Sequence, residues 1–156
     1  MASTRPTTAT ARRVVTEATR CATELRSRVI GQEHVLLALI DEPDSLAAAM
    51  LGELGVYGSL GVLPSLISAG AGAQPSPEPT PRFRKALEEA EAEAAEQDRA
   101  TTSADLVIGI LRANIGVGFN LLRGAGVTLD DARAALAAVP LPHAELDDVA
   151  PANLRQ

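Results

Sequence analysis

The chain has 156 residues, 46% of them hydrophobic but only 2% aromatic, so its core must be built from Ala, Leu, Val and Ile, a composition that favours close-packed helices. A formal charge of −6 argues against a broad electrostatic surface for nucleic acid and leaves room for a local site that accepts a cationic group. With Cys21 the single cysteine there is no intramolecular disulfide; no signal-peptide h-region and no apolar run of the roughly eighteen residues a membrane helix needs is present, so the expectation is a cytoplasmic protein without a membrane span.

Residues 1–9, with their Thr, Ala and Ser, are expected to form a flexible N-terminus. Val14, Val15, Ala18, Ala22 and Leu25 recur at spacings of three and four and predict a helix over 10–27, in which Cys21 is a small buried residue or, alternatively, a reactive thiol. Gly31 precedes a second helix, 32–41, which Pro43 ends by pushing the residue before it out of helical geometry. Ser45 can cap a third helix closed by Gly55, and a weaker fourth covers 57–68 despite Gly58, Gly61 and Pro64. The Pro-rich stretch 70–80 reads as a linker. Thr80 then caps a helix over 82–97 with Pro81 at its first position; Leu87, Ala90 and Ala94 form its inner face. Its run of Glu88, Glu89, Glu91, Glu93 and Glu96 is expected to be a solvated surface or, alternatively, a recognition element. Ser103 can cap a helix over 104–112, another covers 116–125 and stops at Gly126, and Thr128 caps a last one over 129–139 whose Asp130 and Asp131 suit its positive end. Residues 140–156 have few apolar anchors and are expected to form a flexible tail.

One unit occurs twice. Shifting residues 30–56 by 71 places Leu51 on Leu122, Gly55 on Gly126 and Val56 on Val127, and the apolar run 35–40 on 106–111. Upstream the offset is 72, bringing Ala18 and Ala22 onto Ala90 and Ala94. A fixed period of this kind defines the structural unit. The fold class is therefore all-α: a domain over 10–139 made of two pseudo-symmetric four-helix repeats, 10–69 and 81–139, eight helices in total.

Catalytic signatures are missing from the sequence. Lys85 is the single lysine and no phosphate-binding GxxxxGK[ST] occurs, nor GxSxG or HExxH. Two histidines, His34 and His143, and one cysteine do not assemble a convincing zinc site. Glu33 and His34, adjacent on a helix, point in different directions and make no dyad. Neither an enzyme nor a metal or cofactor is expected.

The segment IGQEHVLLALI at 30–40, with ARRVVTEATRCATEL before it, LGELGV after it and TPRFRKALEEA opening the second unit, resembles the amino-terminal (Clp repeat) domain of the Clp-type AAA+ unfoldases, the ClpC branch above all. The resemblance spans roughly residues 8–139 in both repeats. It implies a non-catalytic domain that binds protein substrates, adaptors and small peptide-like ligands. Since no ATPase module follows, it also implies a stand-alone binder, an accessory or decoy for a ClpC-type protease machine and a monomer.

The resemblance also implies sites. Glu33 matches the acid that recognises phosphorylated arginine, and a carboxylate can take a guanidinium in a bidentate hydrogen bond; the alternative is a helix-end stabiliser. Ala104-Asp105 stands where the second repeat would carry Glu-His, with Asp105, one position along, as a partial substitute. His34 reads as a packed or capping histidine. Arg12 and Arg13 either supply positive charge for a phosphate or form a solvated face. The surface that takes cyclic-peptide antibiotics in the family corresponds to Arg82, Phe83 and Lys85, without the family's aromatic residues at Thr8 and Pro79. Should these sites be lost, a structural or regulatory interaction module is the alternative.

Overall fold

The structure, a computed structural model, describes residues 6–63, 76–140 and 143–150. Among the described residues seven α-helices carry the fold: α1 (Ala9–Glu24), α2 (Gln32–Ile40), α3 (Leu46–Glu53), α4 (Pro81–Glu96), α5 (Ser103–Ala113), α6 (Val117–Gly124) and α7 (Leu129–Ala138). Two 3₁₀ segments, Tyr57–Val62 and Ala144–Asp147, and four two-residue strands complete it: β1 (Thr7–Thr8), β2 (Val29–Ile30), β3 (Glu78–Pro79) and β4 (Val149–Ala150). The domain is all-α, as expected from the duplicated helical pattern. The expected fourth helix is a 3₁₀ segment over Tyr57–Val62, where Gly58 and Gly61 weaken α-helical geometry; its remainder from residue 64 on lies outside the described residues.

The helix starts are set by short polar side chains. Thr8, Ser45, Thr80 and Thr128 each accept from the backbone N–H three residues on, at 3.0–3.1 Å. One expectation shifts: Thr102, not Ser103, is the N-cap of α5, and Ser103 is its first helical residue. The helix stops repeat with the sequence. Val56 N–H bonds to Leu51 C=O and Val127 N–H to Leu122 C=O, with Gly55 and Gly126 at positive φ, so each LxxxGV is a Schellman stop. Arg26 and Asp98, 72 residues apart, adopt left-handed geometry and end α1 and α4 alike.

The repeats are interlocked. α1 packs along α2 and α4 along α5, whereas α3 lies on α5 and α6 on α2, so each repeat's third helix packs on the other's second. Backbone pairing crosses over too: β2 pairs in parallel with β3 (Ile30 beside Pro79), and Thr7 bridges Thr101. Residues 78–80, expected as linker, therefore belong to the folded body. The core is aliphatic, with Leu36, Leu39, Met50, Leu51, Leu106, Ile108 and Ile110 fully buried. Gly109 is required by close approach: a Cβ there would lie 2.7 Å from Ala90 N.

Two expectations are corrected. The acidic face of α4 is not a simple solvated surface, since Glu91 and Glu93 are buried. Arg112 of α5 donates to Glu89, Glu93 and Glu96 at 2.7–2.9 Å, and Arg133 of α7 donates to Glu93 at 2.8 Å. Nor is the stretch 143–150 a loose tail: β4 pairs antiparallel with β1, and Ala9 N–H donates to Asp148 C=O at 2.7 Å. No single helix among the described residues is long and apolar enough to cross a membrane; α5 and α6 qualify as a pair by length and composition but meet at 97°, and α5 is core.

Candidate ligand site

Glu33 sits in the first turn of α2, half-buried, and its carboxylate folds back over the N-cap. Gly31 makes this possible, because a Cβ there would collide with the carboxylate. As N-cap, Gly31 offers no side-chain acceptor to the first-turn N–H groups, in contrast to the Thr and Ser caps elsewhere. Its own N–H donates to Nδ1 of buried His34 at 2.9 Å, so His34 is a capping histidine. Burial holds the imidazole below its ordinary pKa, opposed by the negative charge of Glu33, and an accepting Nδ1 requires the neutral ring. The start of α2 thus combines an accessible carboxylate with a helix N-terminus that no side chain of its N-cap covers.

The same turn in α5 is closed. Ala104 stands in place of Glu33, and Asp105 occupies the position of His34. Asp105 is fully buried; Oδ2 accepts from Thr102 N–H at 2.8 Å and pairs with Arg99. Burial raises its pKa against the opposing effect of Arg99. The expectation that Asp105 offers a substitute carboxylate is corrected: it is spent on the cap and does not face solvent.

Arg13 is exposed but paired with Glu42, through Nη2 at 2.9 Å among other bonds, while Arg12 is exposed on α1. At the entry to α4, Arg82 is exposed, and Lys85 is exposed and bonded to Glu89 at 3.1 Å. Phe83 points inward and is 3% exposed, which corrects its expected place on an antibiotic-type surface. An apolar groove of about 380 Å³ lies between the 3₁₀ segment and α6, lined by Leu36, Leu60, Leu63, Leu121 and Leu122 among others. A second, of about 270 Å³, is lined by Cys21, Leu25, Leu37 and Ile40 between α1 and α2. Cys21 is half-buried there, and desolvation raises its thiol pKa.

Two residues escaped notice in the sequence. Gln32, the first residue of α2, is buried and crosses to the other repeat. Its Nε2 donates to Ile115 C=O at 3.0 Å and its Oε1 accepts from Phe119 N–H at 3.1 Å, which caps α6. Glu145 does the corresponding work at α3, described below. Neither was legible, since a lone Gln and a Glu in a polar tail carry no local signal.

Comparison with known proteins fits this geometry. Residues 7–125 match the Clp repeat (R) N-terminal domain family. Among solved structures, the N-domain of ClpV from Vibrio cholerae superposes with a TM-score of 0.74 at 21% identity, covering 89% of this chain and 87% of that one. The Hsp104 N-terminal domain from Candida albicans gives 0.62 at 15% identity, with 85% and 89% covered. The N-terminal domain of the caseinolytic protease associated chaperone ClpD from Arabidopsis thaliana gives 0.60 at 17%, with 84% and 92% covered. No curated protein matches by sequence. With the interlocked helical repeats and their shared Schellman stops, these matches show that the chain belongs to the Clp repeat (R) N-terminal domain family.

Proposed function

We propose that this chain is a non-catalytic binding module, a cytoplasmic monomer that takes protein substrates, adaptors or peptide-like ligands as an accessory or decoy for a ClpC-type AAA+ unfoldase. The specific ligand of the α2 site is a phosphorylated arginine. The observation that carries this reading is the pairing of the Glu33 carboxylate with an N-terminus of α2 that its N-cap side chain leaves uncovered. Guanidinium is recognised by a carboxylate through paired hydrogen bonds, and phosphate by helix-start N–H groups and the helix dipole. Both halves of phosphoarginine therefore find a partner within one turn, whereas Arg13 pairs with Glu42 just past the opposite end of α2, so Arg12 and Arg13 stand away from this site. Because Thr102 and Asp105 close the equivalent turn of α5, the stoichiometry is one ligand per chain.

Calorimetric titration with free phosphoarginine tests this. The expected result is saturable binding near one equivalent, lost in Glu33→Ala, with Asp105→Asn retaining the ligand if the domain stays folded. Absence of heat at millimolar ligand removes the phosphoarginine assignment and leaves the alternative, an interaction module without ligand sites, as the function.

A further inference from the structure

Glu145 is buried where three helices begin. Its Oε1 accepts from Leu46 N–H, the first residue of α3, at 2.8 Å and from Ser103 Oγ at 2.6 Å. Its Oε2 accepts from Ser103 N–H, the first residue of α5, at 2.7 Å and from the hydroxyl of Thr8, the N-cap of α1, at 2.8 Å. Four donors and three positive helix ends thus converge on one carboxylate. The pseudo-symmetric position shows what is unusual here. In the other half Gln32 fills the equivalent space at α6 unaided, with Gly118 close enough that a Cβ there would lie 2.6 Å from Gln32 Cβ. Ser103, the counterpart of Gln32, is too short to do so: its Oγ accepts from Ala47 N–H at 2.9 Å, and Leu46 N–H is left to a residue from elsewhere.

The segment that delivers Glu145 is otherwise lightly held. Of residues 143–149, Glu145 is the one that is buried; Leu146 is half-buried, and Ala144, Asp147, Asp148 and Val149 are exposed. Its backbone anchors are the two rungs to β1 and the Ala9 bond. The donors of the cleft, by contrast, belong to α1, α3 and α5, whose positions are set by the aliphatic core. Few apolar contacts and an exposed backbone are the marks of a segment that opens locally while the rest stays folded. Once it opens, four donors face an empty cleft that selects for a carboxylate.

We propose that this cleft is a binding site for an acidic, extended peptide segment of a partner protein, recognised by a glutamate in the triple helix start and by strand addition to β1, and that residues 143–150 are its resident competitor. The site is separate from Glu33 and does not depend on the phosphoarginine reading.

The test uses the full chain and a labelled peptide of residues 143–150, HAELDDVA. Leu146→Ala weakens the resident segment without touching a single donor, and Glu145→Gln removes its carboxylate. Hydrogen exchange should accelerate about tenfold in 144–150 in both variants, with the amides of Leu46 and Ser103, which Glu145 caps, following the segment and those inside α2 and α5 unchanged. The peptide should bind both variants saturably and wild type about tenfold more weakly, because the resident segment leaves only a fraction of clefts open. A peptide with Gln in place of its Glu should bind none of them. The proposal is overturned if exchange rises throughout the molecule, which makes Glu145 a fixed part of the fold. It is equally overturned if the Gln peptide binds as well as the Glu peptide, if neither variant binds peptide, or if the variants instead dimerise by exchanging their own tails.

Discussion

His34 shows how much a single position in the first turn of α2 decides. Its neutral ring caps Gly31 from a buried site, and burial lowers its pKa. Below the ordinary histidine value of 6.5 the unfolded chain takes up a proton that the folded chain resists, so stability is lost as the pH falls through that range. Denaturant titration between pH 7.5 and about 5 should show the loss, and His34→Gln should flatten it. The same ring holds the turn that presents Glu33, so phosphoarginine binding should weaken in parallel as the pH drops. Sequence alone ranked His34 as a capping or packed residue and Glu33 as the acid to watch, because N-terminal helix positions are readable from residue type. It could not show that Asp105 is spent on Thr102 and Arg99, since that depends on Arg99 folding back from the end of α4.

At the scale of elements, α4, α5 and α7 are joined by a charge network rather than by apolar contact alone. Glu93 is the hub: burial would raise its pKa, but Arg133 and Arg112 outweigh that and hold it below the usual carboxylate range. The stabilisation is thus present above that range and fades as the pH falls through it. Removing the carboxylate takes one of three partners from Arg112 and loosens the half-exposed Arg133, so Glu93→Ala should cost about 2 kcal/mol in urea unfolding at neutral pH. Glu96→Ala, at an exposed position of the same network, should cost below about 1 kcal/mol. The helices themselves were legible because caps and Gly stops are local: Ser45, Thr80, Thr128, Gly55 and Gly126 act where residue type says they should. The acidic run of α4 misled because its partners, Arg112 and Arg133, lie one and three helices further along the chain. The 143–150 segment misled because one carboxylate, not a hydrophobic pattern, anchors it.

At the scale of the molecule, two half-domains behave as one. Each repeat's third helix packs on the other's second, and the strand before each first helix pairs with the loop before the other's second. Neither repeat owns a complete core, so thermal unfolding should be a single transition with equal calorimetric and van't Hoff enthalpies. Expressed separately, residues 1–69 and 76–156 should each lack cooperative unfolding and regain it on mixing; two resolved transitions in the intact chain would contradict this. The duplication was visible from the 71-residue period, but the exchange of partners was not, because a period reports similarity and not which copy touches which.

The pairing of β1 with β4 has a mechanical consequence. Thr7 lies beside Ala150 and Thr8 beside Val149, so the chain enters and leaves at the same edge of one antiparallel ladder. Tension applied to the two ends loads that ladder rung by rung, as a zipper, rather than in shear across all rungs at once. Under a pull the outer pair parts first, then Val149 from Thr8, and on the C-terminal side the strain passes directly to Glu145, while on the N-terminal side it is taken up by the bonds of Pro6 and Thr8 to Thr101. A partner that tugs on both ends would therefore strip the 143–150 segment from its cleft before disturbing the Glu33 turn, turning force at the termini into exposure of a set of donors for a carboxylate.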